Sequence, residues 1–198
     1  MGAKVAILTK PALRRQILAA RRALPAAVRE RETRSLQTHI ARLAADVETI
    51  AAYIPVGSEP GADPDAVPLL DGLAGSRILL PIARAGQPMQ WAVYRRGALV
   101  SAPFGLLEPA PPWLAPDTIA QADLVLIPAL AVARDGTRLG RGAGFYDRAL
   151  HLADPSAPLV AVVRDDELLD AIPAESHDVP VTHALTPGGG LIPVGGRE

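Results

Sequence analysis

A chain of 198 residues with 49% hydrophobic side chains can bury one sizeable core without metals or disulfides, and a net charge of −1 gives no global field to recruit nucleic acid. The absence of cysteine excludes a disulfide scaffold, a cysteine-ligated metal centre and a thiol nucleophile, and it suits a reducing compartment, so a cytoplasmic protein is expected. No apolar run approaches the ~20 residues of a membrane span, and the opening "MGAKVAILTK" is too short and weakly apolar for a secretory signal, so neither a membrane nor a nucleic-acid partner is expected.

Thr9 as N-cap and Pro11 in a first turn open an amphipathic helix whose Leu13, Ile17, Ala20 and Leu24 recur at helical spacing. Between Lys10 and Arg34 stand eight lysines and arginines against Glu30 and Glu32. For most of them a solvated helix face is the plain reading. Lys10 and Arg14, however, are four apart and share a face near the positive end of the helix dipole, a poor place for cations unless an anion is expected. A second helix is predicted from Pro25 to about Leu43, with Val28, Leu36, Ile40 and Leu43 inward.

"TIAAYI" (49–54) then reads as a short buried strand, "VGSEPGADP" as a loop and "DAVPLLDGLAG" (65–75) as a short helix ending at glycine. "RILLP" (77–81) and "MQWAVY" (89–94) are further strands. The proline-rich stretch 102–117 is predicted to be an irregular loop packed by Phe104, Leu106, Leu107 and Trp113. "ADLVLIPALAV" (122–132) is continuous rather than alternating, as expected of a central strand covered on both faces. A turn, a glycine loop and a helix from "FYDRALHLA" follow, then a strand (158–163), a short helix "DDELLDAI", a last strand (182–186) and a frayed tail (188–198). Helices alternating with buried strands predict an α/β single-domain sandwich over residues 1–198, with a mostly parallel central sheet flanked by helices.

The glycine loop "LGRGAGFYDR" (139–148) has Gly140, Gly142 and Gly144 between a strand and a helix start. It lacks the lysine and hydroxyl of a P-loop, and its third glycine comes one residue early for a dinucleotide fingerprint. Two readings remain: a tight strand-to-helix turn, or a phosphate cradle strengthened by Arg138 and Arg141. Asp147 either holds a divalent cation against bound phosphates or complements the helix dipole. His177 and Asp178 offer a second carboxylate or an ordinary Asx turn, and Glu59 on its own reads as a surface-loop residue.

Five stretches, "KPALR" (10–14), "YIPVGSE" (53–59), "FGLLEP" (104–109), the long 122–150 segment and "IPAESHDVPV" (172–181), together resemble the 5-formyltetrahydrofolate cyclo-ligase family, also called methenyltetrahydrofolate synthetases. The resemblance implies a sheet-centred α/β fold related to sugar-phosphate isomerases and CoA transferases. It also implies cyclisation of 5-formyltetrahydrofolate to 5,10-methenyltetrahydrofolate, with ATP as co-substrate, Mg2+ as cofactor, and ADP and phosphate as products. Lys10, Pro11, Ala12, Leu13 and Arg14 would hold ATP, and so would Arg138, Leu139, Gly140, Arg141, Gly142, Ala143, Gly144, Phe145 and Tyr146. Ile54 and Glu59 would face the folate, with Arg141, Gly142, Ala143, Gly144 and Phe145 between the two substrates. Asp147 and Asp178 would bind the metal, and Arg141 and Lys10 would be catalytic. The expected partners are small molecules only and the expected state is a monomer; a paralogue that binds nucleotide or folate without turnover is the alternative. Ala143, Phe145 and Glu167 depart from the family pattern, which more commonly has glycine or lysine, tyrosine and glutamine at these places.

Overall fold

The computed structural model describes residues 9–62, 70, 73, 75–102, 106–175 and 178–195. Most of the helix expected over 65–75, together with Phe104 and His177, lies outside the described residues.

Helix α1 spans Lys10–Ala23 and starts where the Thr9 hydroxyl accepts the Ala12 amide at 3.4 Å, with proline in its first turn. Its buried face is Leu13, Ile17 and Arg21. The inward position expected for Ala20 is exposed, because the Arg21 guanidinium finds a carboxylate and a carbonyl inside the fold while its stem packs there. Helix α2, Ala26–Leu43, buries Thr33, Leu36 and Ile40, leaving Val28 and Leu43 half-buried.

The strands are β1 (Thr49–Ala51), β2 (Arg77–Ile82), β3 (Gln90–Val93), β4 (Leu99–Ala102), β5 (Leu106–Pro109) and β6 (Leu124–Pro128). They continue as β7 (Ala131–Ala133), β8 (Arg138–Leu139), β9 (Leu159–Val162), β10 (Leu168–Leu169), β11 (His183–Thr186) and β12 (Gly190–Pro193). A third helix, α3, spans Phe145–Leu150. The main sheet has seven strands in the order β12-β11-β9-β6-β1-β2-β3. Its inner strands run parallel, with Ile50 between Ile78 and Leu124, and antiparallel strands β3 and β12 close the two edges.

Alternation along the strands sorts the core into two layers. Ile50, Leu80, Leu124 and Leu185 face Leu36 and Ile40 of α2. Ala51, Leu79, Val125 and Ala184 face away from them, toward Trp91, Ile119 and Leu150 of α3. The continuous apolar runs of the inner strands follow from burial on both faces. A third cluster packs Leu13 and Ile17 of α1 on a small sheet, β10-β7-β8, through Leu130, Ala133, Leu139 and Ile172.

Four expectations are corrected. The run 122–132 is two strands: β6 ends at Pro128, Ala129 and Leu130 turn the chain out of the main sheet, and β7 pairs instead with β8 and β10. The helix expected from "DDELLDAI" is a single 3-10 turn, Asp165–Glu167, followed by β10, because Leu168 and Leu169 pair with β7 while Glu167 turns inward to Arg21. The proline-rich segment contains β5, paired antiparallel with β4, and Leu107 is 46% exposed rather than buried. The tail is not frayed over Gly190–Pro193, which forms β12 against β11, and Val194 joins the core. Among the described residues no helix is long and apolar enough to cross a membrane.

Deleting residues 190–198 should therefore destabilise the protein by about 2–4 kcal/mol, the order expected for one buried aliphatic side chain and a short ladder. Chemical denaturation checks this; a frayed tail would leave the midpoint unchanged.

Candidate functional site

Three parts of the chain distant in sequence meet at a small polar pocket of about 90 Å³: the start of α1, the loop after β8, and the residues Glu175 and Asp178. It contains Lys10, Arg14 and Arg138 as cations and Asp147, Glu175 and Asp178 as anions. Lys10 Nζ donates to Asp178 Oδ2 at 2.8 Å and lies 3.4 Å from Glu175 Oε1. The Arg138 guanidinium donates to the Asp147 carboxylate, and its Nε is buried with no hydrogen-bond partner among the described residues. Arg14 Nε donates to the Gly140 carbonyl at 2.9 Å, so the basic face of α1 holds the glycine loop in place.

The glycines follow from this packing. Gly142 has φ +100°, a conformation that side chains rarely adopt, and a Cβ there would stand 3.4 Å from the Arg14 guanidinium. At Gly140 the obstacle is space, since a Cβ would come within 2.9 Å of Arg138 Nη1. Helix α3 is only six residues long, so what positive charge the pocket offers an anion comes from Lys10, Arg14 and Arg138 rather than from its dipole.

Beside it opens a larger, mainly apolar pocket of about 500 Å³, within the range of small-molecule sites. Ile54, Val56, Leu80, Pro81, Leu107 and Pro128 contribute its apolar walls. Glu59 is buried at its edge, where Oε2 accepts the Val56 amide at 2.9 Å and Oε1 lies 3.0 Å from Arg141 Nη2. That ion pair joins the loop after β1 to the glycine loop, so the two pockets adjoin. Tyr53 and Tyr146 line the larger pocket, and their hydroxyls are buried with no hydrogen-bond partner among the described residues. Burial pushes both phenols well above their ordinary pKa, and the Glu59 carboxylate adds to the shift; Arg138 opposes it at Tyr146. At the opposite rim Arg84 donates to Glu108 and stacks over Trp113, 4.6 Å from the ring centroid.

The residues expected to act together are distributed unevenly. Lys10, Arg14, Arg138, Leu139, Gly140, Gly142, Gly144, Asp147 and Asp178 line the polar pocket, and Ile54 and Glu59 line the apolar one. Arg141 stands between them, 54% exposed. Pro11 and Ala12 serve the first turn of α1, and Leu13 packs in the third core cluster. The Ala143 carbonyl meets Arg148 at 3.5 Å, and Phe145 packs on the main core beneath the same arginine. Tyr146, grouped with the nucleotide residues, lines the apolar pocket. Tyr53, Arg84 and Glu108 were not expected. Tyr53 lies beside Ile54 in the expected run 49–54 but carries no local signal of its own, whereas Arg84 and Glu108 come together only through the pairing of β4 with β5.

A divalent cation fits the polar pocket on the chemistry of its donors. Among the described residues no group of three or more histidine, cysteine or acidic side chains could hold a metal alone. Magnesium does not require one, since it takes one or two carboxylates and completes its shell with water and phosphate oxygens. Asp147 and Asp178 are two such carboxylates on one small pocket.

Comparison with known proteins agrees over most of the chain. The sequence profile of the 5-formyltetrahydrofolate cyclo-ligase family matches residues 6–187. The chain is 55% identical over 191 residues to a 5-formyltetrahydrofolate cyclo-ligase of Mycolicibacterium smegmatis, covering 93% of this chain and 96% of the relative. It is 28% identical to the Escherichia coli K12 protein of the same name over 70% of this chain and 78% of that one. Its fold matches the NMR structure of Aquifex aeolicus 5,10-methenyltetrahydrofolate synthetase with a TM-score of 0.76 at 24% identity, covering 96% of each chain. The match to the Mycoplasma pneumoniae enzyme has a TM-score of 0.68 at 22% identity, over 88% of this chain and 96% of that one. The α/β fold, the extent of the profile match and the 55% identity together establish that this chain belongs to the 5-formyltetrahydrofolate cyclo-ligase family and is an enzyme of the ligase class.

Proposed function

We infer that the protein converts 5-formyltetrahydrofolate and ATP, with Mg2+, into 5,10-methenyltetrahydrofolate, ADP and phosphate. The observation that carries this reading is the meeting of two unlike pockets, one apolar and one charged, at the 3.0 Å Arg141–Glu59 contact. An apolar pocket suits a pteridine and its aryl extension, while the polar pocket is of a size for phosphoryl groups rather than a whole nucleotide. The proposed protein is a single-domain monomer, and its cysteine-free composition suits the cytoplasm.

The chemistry needs such a junction. A formyl oxygen leaves poorly, so the neighbouring N10 cannot expel it directly. In the proposed reaction that oxygen attacks the γ-phosphorus of ATP, forming an O–P bond as the bond to ADP breaks. N10 then attacks the formyl carbon with its lone pair and loses its proton, and the C–O bond breaks with its electrons on the departing phosphate. Catalysis here is positioning and charge neutralisation, without a covalent nucleophile.

Lys10, Arg14 and Arg138 would receive the phosphate oxygens, and Arg141 would meet the phosphoryl group in transit. Glu59 would accept hydrogen bonds from the pterin nitrogens, and the two phenols, protonated at neutral pH like any tyrosine, would donate to substrate acceptors. Magnesium would supply further charge neutralisation when held by Asp147 and Asp178 against phosphate. In the structure Asp147 pairs with Arg138 and Asp178 with Lys10. Exchange of partners, cations to phosphate and carboxylates to metal, keeps every charge paired, so nucleotide and metal should bind better together than apart.

Absorbance of methenyltetrahydrofolate formed by purified protein tests the reading. Product is expected only with ATP and magnesium both present. Equal turnover in EDTA would remove the metal role, and no turnover under any condition would leave a binding protein.

Tyr53→Phe separates function from stability. Removing an unpartnered buried hydroxyl should leave the protein as stable or up to about 1 kcal/mol more so, yet weaken 5-formyltetrahydrofolate binding several-fold. Thermal denaturation and a binding titration on the same sample check both; unchanged affinity would mean that the hydroxyl does not meet the folate.

A further inference from the structure

Glu167 is the centre of a buried ionic network outside both pockets. Its Oε1 accepts Arg21 Nε at 2.6 Å, and its Oε2 accepts Arg21 Nη2 at 2.7 Å and the Arg164 amide at 2.8 Å. The Arg164 guanidinium donates from Nε to Glu32 Oε2 at 2.8 Å and from Nη1 to the Ser58 carbonyl at 3.1 Å. The side chains of Arg164 and Glu167 are each 5% exposed, and two positive charges face two negative ones.

The network ends on backbone at two sides of the apolar pocket. Ser58 precedes Glu59, whose turn is closed by the Glu59 amide on the Val56 carbonyl at 3.1 Å and the Ala62 amide on the Glu59 carbonyl at 3.1 Å. Arg21 Nη2 also donates to the carbonyl of Ala129, next to Pro128 of the pocket wall, at 2.7 Å. Apolar residues of equal volume often stabilise an interior as well as a buried ion pair does, so stability alone accounts poorly for four charges. A guanidinium adds direction: its planar fork, fixed by Glu32 on one side, leaves one orientation for the donor that meets Ser58.

We propose that Arg164, locked by Glu32 and Glu167, is a positioning residue for Glu59, setting the 56–59 turn against the apolar pocket and thereby the affinity for the folate but not for the nucleotide. The proposal rests on the reading that Glu59 faces the folate. Two full-length variants test it. Arg164→Lys keeps the charge but loses the fork, and Arg164→Met combined with Glu167→Gln removes one charge of each sign. Calorimetric titrations with 5-formyltetrahydrofolate and, separately, with Mg-ATP give the two dissociation constants, and circular dichroism follows folding.

Both variants are expected to bind the folate about tenfold more weakly and Mg-ATP within about twofold of the parent. Unchanged folate affinity in a folded variant, or equal weakening of both ligands, overturns the positioning role. Should neither variant fold, amide hydrogen exchange on the parent protein decides: slow exchange at Glu59 and Ala62 supports a locked turn, and exchange as fast as an exposed loop contradicts it. A parent protein that fails to bind the folate overturns the pocket reading and this proposal with it, whereas a parent that binds beside an unaffected variant overturns this proposal alone.

Discussion

A charge taken out of water costs several kcal/mol unless an opposite charge stands beside it, and this constraint organises both pockets and the wall behind them. Within the wall, Arg21 and Arg164 face Glu167 and Glu32. In the polar pocket Lys10 faces Asp178 and Arg138 faces Asp147, and where the pockets join Arg141 faces Glu59. The pairs differ in what they can exchange. Those in the wall touch only protein and hold backbone in place; those at the pockets, in the proposed reaction, would trade partners with phosphate and a divalent cation without leaving any charge alone.

Much of this was legible in the sequence because it depends on local pattern. Helices α1 and α2 came from apolar spacing and an N-cap, and the inner strands from continuous apolar runs. What the pattern missed has a common cause, namely partners distant in the chain. Arg21 stands four residues after Ile17 but carries a charge that suggests solvent, and Glu167, 146 residues away, is what holds it inside. Strand β7 leaves the apolar run it shares with β6 because β8 and β10 compete for it, and β12 looks frayed until β11 is beside it. The β4–β5 hairpin is hidden by prolines whose local signal is for irregular chain.

The site residues divide along the same line. The glycine loop and the Lys10–Arg14 spacing carry the local chemistry from which the proposed anion site is read, and a close approach to Arg14 and Arg138 accounts for Gly142 and Gly140. Tyr53 and Tyr146 carry no such signal, because an unpartnered buried hydroxyl is visible only once the fold has closed around it. That both phenols also line the apolar pocket is what singles them out for the proposed folate contact, since Arg21 Nη1 in the wall is likewise buried without a partner among the described residues.

The central claim is that the two pockets adjoin so that the γ-phosphoryl group of ATP passes to the formyl oxygen of the folate. Following that oxygen tests it most directly. With oxygen-18 in the formyl group of 5-formyltetrahydrofolate and mass spectrometry of the phosphate released during turnover, the account predicts one labelled oxygen in each phosphate. Unlabelled phosphate, with the label recovered in water, would mean that ATP is cleaved without phosphorylating the folate and would contradict it.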